Sequence, residues 1–231
     1  MPRLKPATQA ARREHILDAA ERCFARAGFH RTTMQDICKE AGISAGALYV
    51  YFASKEDLIA GISERDRMTL GGQLAEIGTA GDLMEALRGL AMHYCHVLPR
   101  QKNIICIEIG AESTRNPAVA GICRAFEHSM LDALEQVLTA ATQDGKIAPS
   151  IDARAAAQMM MLLGDGLFWR RAIDPDFDAD TSVQMVVDIV TRFLNPVTAA
   201  KSADSVAAAA KRSPKKPSTS KAGSRANGAT Q

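Results

Sequence analysis

The sequence predicts an all-α protein, with a small N-terminal three-helix unit followed by a larger helical domain. Three observations carry that expectation. Apolar residues recur at three- and four-residue spacing along most of the chain. Strand-like alternation is scarce, and Gly and Pro fall where the periodic segments end. The 231 residues suffice for one domain or two small ones, and a hydrophobic fraction of 47% is ordinary for a folded chain.

The first helix is marked by Ile16, Ala20, Cys23, Phe24 and Ala27, and Gly28 is expected to stop it. Residues 1–9 ahead of it read as a flexible basic arm. A short helix follows Thr33, which can cap it, with Asp36 three residues on as a capping box requires. Ile37 and Ala41 face inward, and Gly42 sits where that helix must end in a left-handed conformation. Ile43 plugs the corner, and Ser44 can cap a third helix. Leu48 and Phe52, four apart, point into the small core. Ser54 and Asp57 form a second capping box that opens a fourth helix. The unit is expected to span residues 10–58.

Residues 59–196 form the second domain. A helix over about residues 82–98 places Leu83, Leu87, Leu90, Tyr94 and Leu98 on one stripe, and Pro99 breaks it. A shorter one covers about 102–114. Asn116-Pro117 starts the next, which runs to about Gln143. Residues 153–172 and 181–194 are the last two helices. Residues 159–163 are five consecutive apolar residues, so they surround their helix. Val183, Val186, Val187, Val190 and Leu194 make one stripe, and Met185 and Ile189 add a second. A helix apolar on most sides must be buried on most sides, so these two are expected to pair with their two-fold copies in a homodimer.

Residues 197–231 lack any aromatic and read as a disordered basic tail. From residue 200 onward there are seven bases and one acid, an excess of six, so the rest of a chain of net charge +2 carries minus four. Overall charge therefore gives the folded part no general affinity for nucleic acid, and any such case is local. No apolar run approaches the ~18 residues of a membrane span, and the polar start has no secretory core, so a cytoplasmic protein is expected. The five cysteines are widely spaced with no CxxC pair, which indicates reduced thiols and no zinc finger. No nucleophile elbow, P-loop, GxGxxG or HExxH occurs, so neither an enzyme nor a cofactor is expected.

The tight turn at Gly42 between two short capped helices is a helix-turn-helix, the arrangement that lets its second helix enter a major groove. The run Ile16, Ala20, Phe24, Gly28, Thr32-Thr33-Met34, Ile37, Ala41-Gly42-Ile43-Ser44, Gly46, Leu48-Tyr49, Tyr51-Phe52, Lys55 and Leu58 resembles the DNA-binding domain of TetR-type regulators over about 50 residues without a gap. The stretch 108–119, with Arg115-Asn116-Pro117, is similar to the AcrR-like branch, many of whose members control multidrug efflux pumps. The resemblance implies an all-α homodimeric repressor on a palindromic double-stranded DNA operator, with a C-terminal domain that dimerises and binds a small effector.

Carried over residue by residue, the resemblance implies that Thr33, Tyr49, Tyr51 and Lys55 touch phosphates. Ser44, Ala45, Ala47 and Val50 then lie on or near the groove-facing side of the third helix. Positions 45 and 47 depart from many relatives in having no long polar side chain, which leaves methyl contacts, for instance to thymine. Base specificity then leans on Tyr49, on DNA shape, or on Arg12 and Arg13 reaching from the N-terminal arm. For the effector, an apolar or aromatic molecule, the candidate lining is His93, Phe126, Met130, Phe168, Trp169 and Glu108, with Met92, Tyr94 and Asp165 nearby in sequence. A thiol- or metal-responsive regulator on the same scaffold is the alternative, through His93, Cys95 and His96 or through Cys106 and Cys123.

Overall fold

The computed structural model of the chain describes residues 6–197. Residues 1–5 and 198–231, which include most of the expected arm and tail, lie outside the described residues. The helices among the described residues are α1 (Pro6–Arg31), α2 (Met34–Ala41), α3 (Ala45–Tyr49), α4 (Lys55–Thr79), α5 (Leu83–Met92), α6 (Arg100–Ser113), α7 (Pro117–Gln143), α8 (Ala153–Ile173) and α9 (Ala179–Leu194). The expected all-α class is the observed one.

Several boundaries differ from expectation, each for a physical reason. Helix α1 begins at Pro6, so residues 6–9 of the expected arm are helical. Proline is tolerated in a first turn, and the Ala and Gln that follow favour helix. Gly28 breaks α1 rather than ending it: at φ 77 and ψ 164 it kinks the chain, and Phe29–Arg31 resume as a further turn. Thr32, buried, holds that break by donating its hydroxyl to the Gly28 carbonyl at 2.8 Å. The helix expected over 82–98 is α-helical only to Met92, and His93–Val97 form a π-helical turn. Single π turns are uncommon and are found mostly at functional sites.

The first core lies where α1, α2, α3 and the start of α4 meet. Ile16, Leu17, Phe24, Ile37, Leu48 and Leu58 are all buried there, and Val119 of α7 joins them. Each such side chain contributes about 1.5–3 kcal/mol by leaving water. The second core is built by α4, α5, α7, α8 and α9 around Leu74, Leu87, Met130, Leu138, Ala157 and Leu194. Helix α4 serves both, since Leu58, Ile59 and Ile62 sit in the first and Leu74 and Ile77 in the second. It runs unbroken from Lys55 to Thr79, through residue 58.

The second core does not cover everything apolar. On α8, Met159, Leu162, Trp169 and Ile173 are exposed, and on α9 so are Met185 and Ile189. No helix among the described residues is long and apolar enough to cross a membrane.

Candidate DNA-binding and effector sites

The helix-turn-helix is fixed by caps that the sequence itself supplies. Thr33 Oγ1 accepts the Asp36 N–H at 3.1 Å, and Asp36 Oδ2 accepts the Thr33 N–H at 3.0 Å. Gly42 ends α2 in the left-handed region at φ 62, and Ile43 N–H returns to the Cys38 carbonyl at 3.0 Å. This closes the turn with the orphan carbonyls of α2 satisfied. Ser44 Oγ accepts the Ala47 N–H at 3.2 Å and starts α3. Ser54 does the same for Asp57, but the returning carboxylate bonds to Ala53 N–H, one residue before the cap. Leu48 and Phe52 are buried beneath α3, with the Arg13 guanidinium 5.3 Å from the Phe52 ring centre.

That packing turns Arg12, Thr33, Ser44, Ala45, Tyr49 and Val50 outward, with Ala47 half-buried among them. Two expected phosphate ligands are placed otherwise. Tyr51 is half-buried against the first core. Lys55 turns inward: its ammonium donates to the Phe29 carbonyl and lies 4.1 Å from the Phe29 ring centre. Desolvation there pushes the Lys55 pKa down, with Glu56 and Glu112 opposing. The aromatic ring and carbonyl exposed by the Gly28 break are what capture it, a contact across 26 residues that the motif does not reveal.

The six candidate effector residues do not form one site. Met130 is buried in the second core and Phe126 packs on it. Trp169 is 53% exposed, on the outer stripe of α8. Glu108 faces the other domain, where its Oε2 accepts the Phe29 N–H at 3.3 Å beside Gly28. His93 and Phe168 do converge, on either side of Tyr94, with ring centres 5.6 and 5.5 Å from it. The Tyr94 hydroxyl donates to Gln73 Oε1 at 3.0 Å, and burial pushes its pKa up to about 12. Gln73 in turn lines an open cleft of about 260 Å³ between α4 and α5, with Glu76, Ile77, Ala86 and Leu90.

Behind Tyr94 lies a polar centre that periodicity missed. Arg171 donates to the carbonyls of Tyr94 and Leu98 at 3.0 and 2.6 Å and to Asn103 Oδ1 at 2.6 Å. These bonds satisfy carbonyls left over by the π turn. Asn103 is buried on α6, and its Nδ2 has no partner. A lone Asn ahead of Ile104 and Ile105 was the available signal. Cys106, one turn on, is exposed, and desolvation first and Asp66 second push its thiol up. Burial and Glu127 likewise hold the Asp165 carboxyl above its ordinary range.

The opposite side of α6 is bonded to the DNA-binding end of the molecule. Lys102 pairs with buried Glu21 of α1 and, at 3.0 Å, with Asp66 of α4. Glu21 also meets Arg65 at 2.6 Å, and Arg65 reaches Asp18 at 2.7 Å. Further along, Glu112 faces His30 at 2.8 Å, and Asn116 donates to Glu56 at 3.0 Å.

Four of the five cysteines have thiols pushed away from the activated state. Burial pushes Cys23, Cys95 and Cys123 up as it does Cys106, which disfavours the reactive thiolate. Among the described residues no group of three or more His, Cys, Asp or Glu side chains is placed to hold a metal ion.

A capped helix-turn-helix with an open outer face, carried on a helical body that holds a cleft, defines a DNA-binding regulator. Comparison with known proteins says which kind. Residues 16–62 match the tetR family of bacterial regulatory proteins, and residues 85–195 match the C-terminal domain of BetI-type transcriptional repressors. The chain is 30% identical over 155 residues to the HTH-type transcriptional regulator UidR of Escherichia coli K12, covering 67% of this chain and 79% of that one. It is 25% identical over 193 residues to AcrR of Shigella flexneri, covering 77% and 88%. Among solved structures, Salmonella enterica GusR aligns with a TM-score of 0.70 at 28% identity, over 80% of this chain and 96% of that one. A SmeT–triclosan complex aligns at 0.69 and 26%, over 79% and 90%. The chain belongs to the TetR family of transcriptional regulators, and it is a regulator rather than an enzyme.

Proposed function

We propose that this protein is a homodimeric repressor that leaves a palindromic operator when a small apolar or aromatic effector binds at the cleft between α4 and α5, whose Gln73 holds the Tyr94 hydroxyl. The observation that carries the reading is the double role of α6. One side meets Arg171 and the Tyr94 centre through Asn103, and the other holds Glu21, Asp66 and His30. A molecule that shifts α6 must therefore disturb α1 and α4, which carry the helix-turn-helix. It moves the equilibrium only by its differential affinity for the two arrangements. Thr33, Tyr49 and Arg12 are the outward groups available to phosphates, and Ser44, Ala45, Ala47 and Val50 the ones available to bases. Lys55 joins them on releasing Phe29. The likeness to AcrR and to SmeT with triclosan supports an efflux system as the controlled target.

The test is fluorescence anisotropy of the protein on the DNA upstream of its own gene, with and without a panel of apolar aromatic compounds. Saturable binding that a compound abolishes, and that Tyr94→Ala or Asn103→Ala makes unresponsive, is the expected result. Tight binding that no compound changes, but that an oxidant or metal abolishes, would replace this reading with a thiol- or metal-responsive one.

A further inference from the structure

The outer face of α3 combines residues that folding does not ask for. Gly46 has no positive φ, and a Cβ added there meets no atom within 4 Å. Glycine in a helix is unfavourable relative to alanine, so neither backbone nor packing explains it. Gly46 and Val50 are four apart and share the centre of the face opposite buried Leu48. Val50 is 79% exposed, and Ala45, next to Gly46, is exposed as well. No charged residue occurs between Gly42 and Ser54. The Ser44 hydroxyl oxygen caps Ala47, which leaves its proton and the exposed Tyr49 hydroxyl as the polar groups of this face. A regulator that enters DNA with this face has almost no side-chain donors or acceptors to offer the bases.

We infer that α3 reads its half-site through thymine C5-methyl groups, which pack on Val50, Ala45 and Ala47 while Gly46 lets the helix backbone come into van der Waals contact with the base edges. The inference rests on the helix-turn-helix entering the major groove. Every base pair presents donors and acceptors there, and thymine alone adds an apolar group, its C5-methyl. A methyl-lined face leaves the polar edge of any pair without protein partners, which is costly, and only a thymine methyl offsets that cost with an apolar contact. Discrimination therefore comes from the apolar contact at thymine, which no other base offers. The unfilled space at Gly46 has the same origin, because a side chain there would hold the backbone off the groove floor.

The experiment uses the full-length protein. Its preferred half-site is first selected from a random DNA pool, and each thymine is then replaced by uracil, which removes only the methyl. Uracil at two or three positions should weaken binding about fourfold each, the worth of one buried methyl-sized group. Val50→Ala should abolish the uracil effect at one of those positions. Gly46→Ala should raise the melting temperature while lowering operator affinity about tenfold or more, a split that a merely structural glycine would not give. Specific binding that tolerates uracil everywhere would overturn the inference while leaving the DNA-binding reading intact. So would a Gly46→Ala protein that binds as tightly as its parent. Failure to select any sequence would overturn the major-groove reading itself.

Discussion

A methyl group added at residue 61 would land 2.9 Å from Leu17 Cδ2, 3.0 Å from Phe52 Cε1 and 3.2 Å from Arg13 Nη2. Leu17 and Phe52 are buried, so they have no free volume to move into. Overpacking of this kind costs about 1–3 kcal/mol. Gly61→Ala should lower the denaturation midpoint accordingly, and it should weaken DNA binding too, because Phe52 is the floor on which α3 rests. Gly42 presents the converse problem. A Cβ there meets nothing, but the backbone sits at φ 62, where an L side chain is strained. Gly42→Ala should cost about 1–2 kcal/mol without any clash. The two variants separate room from conformational freedom, and equal midpoints with the parent in urea melts would refute both accounts.

Helix α2 illustrates what an element inherits from its caps. The Asp36 carboxyl is held below its ordinary value of 3.8 by the Thr33 hydroxyl first and by the Thr33 backbone N–H second. A carboxyl lowered in the folded state stabilises above its unfolded pKa, and that contribution is lost as pH falls through the folded value. The start of α2 should therefore loosen only in acid. Asp36→Asn should flatten the acid limb of a melting-temperature profile while reducing stability at neutral pH; a limb as steep as the parent's would show that other carboxylates set it. Asp178, capping α9 through Thr181, should behave in the same way. Such caps were legible in the sequence because donor and acceptor lie three residues apart. The same locality let the helices and both cores be read from periodicity. What was not legible lies across distance or turns on a single residue. Glu108 reaches Phe29 over 79 residues, and Lys55 reaches Phe29 over 26. Phe168 and Trp169 are neighbours about 100° apart on one helix, so one packs on Tyr94 and the other faces out. The π turn that aims Tyr94 shifts the register after Met92, and no spacing rule over residues 82–98 anticipates it.

At the scale of the whole molecule, two features decide how the parts act together. The first is the ion-pair seam at Glu21. Glu21→Ala removes the buried acid between Arg65 and Lys102, which keep Asp18 and Asp66 respectively, and should cost about 2 kcal/mol, whereas Lys102→Met leaves Glu21 paired with Arg65 and should cost less. Lys102→Met is the informative variant: it should keep operator binding and blunt effector release, because it cuts the bond that α6 pulls on. The second feature is the uncovered stripe on α8 and α9. Leu162, Trp169 and Ile173 recur at seven- and four-residue spacing, so they share one face, as do Met185 and Ile189. Leu162 is 71% exposed and Met185 58%. Large apolar side chains exposed in a row along two helices are rarely left open on a monomer, and two copies pairing across a two-fold axis would cover them with a four-helix interface. Leu162→Glu with Met185→Glu should then give a monomer by sedimentation with unchanged helix content. Trp169, the one tryptophan of the chain, reports the event, since its emission should shift to longer wavelength as the indole enters water. The same variant should lose most of its affinity for a two-half-site operator, because each α3 would then bind alone without the gain in effective concentration that a rigid pair provides. A double variant that still sediments as a dimer would place the interface elsewhere and leave the exposed tryptophan to be explained by an effector or another partner.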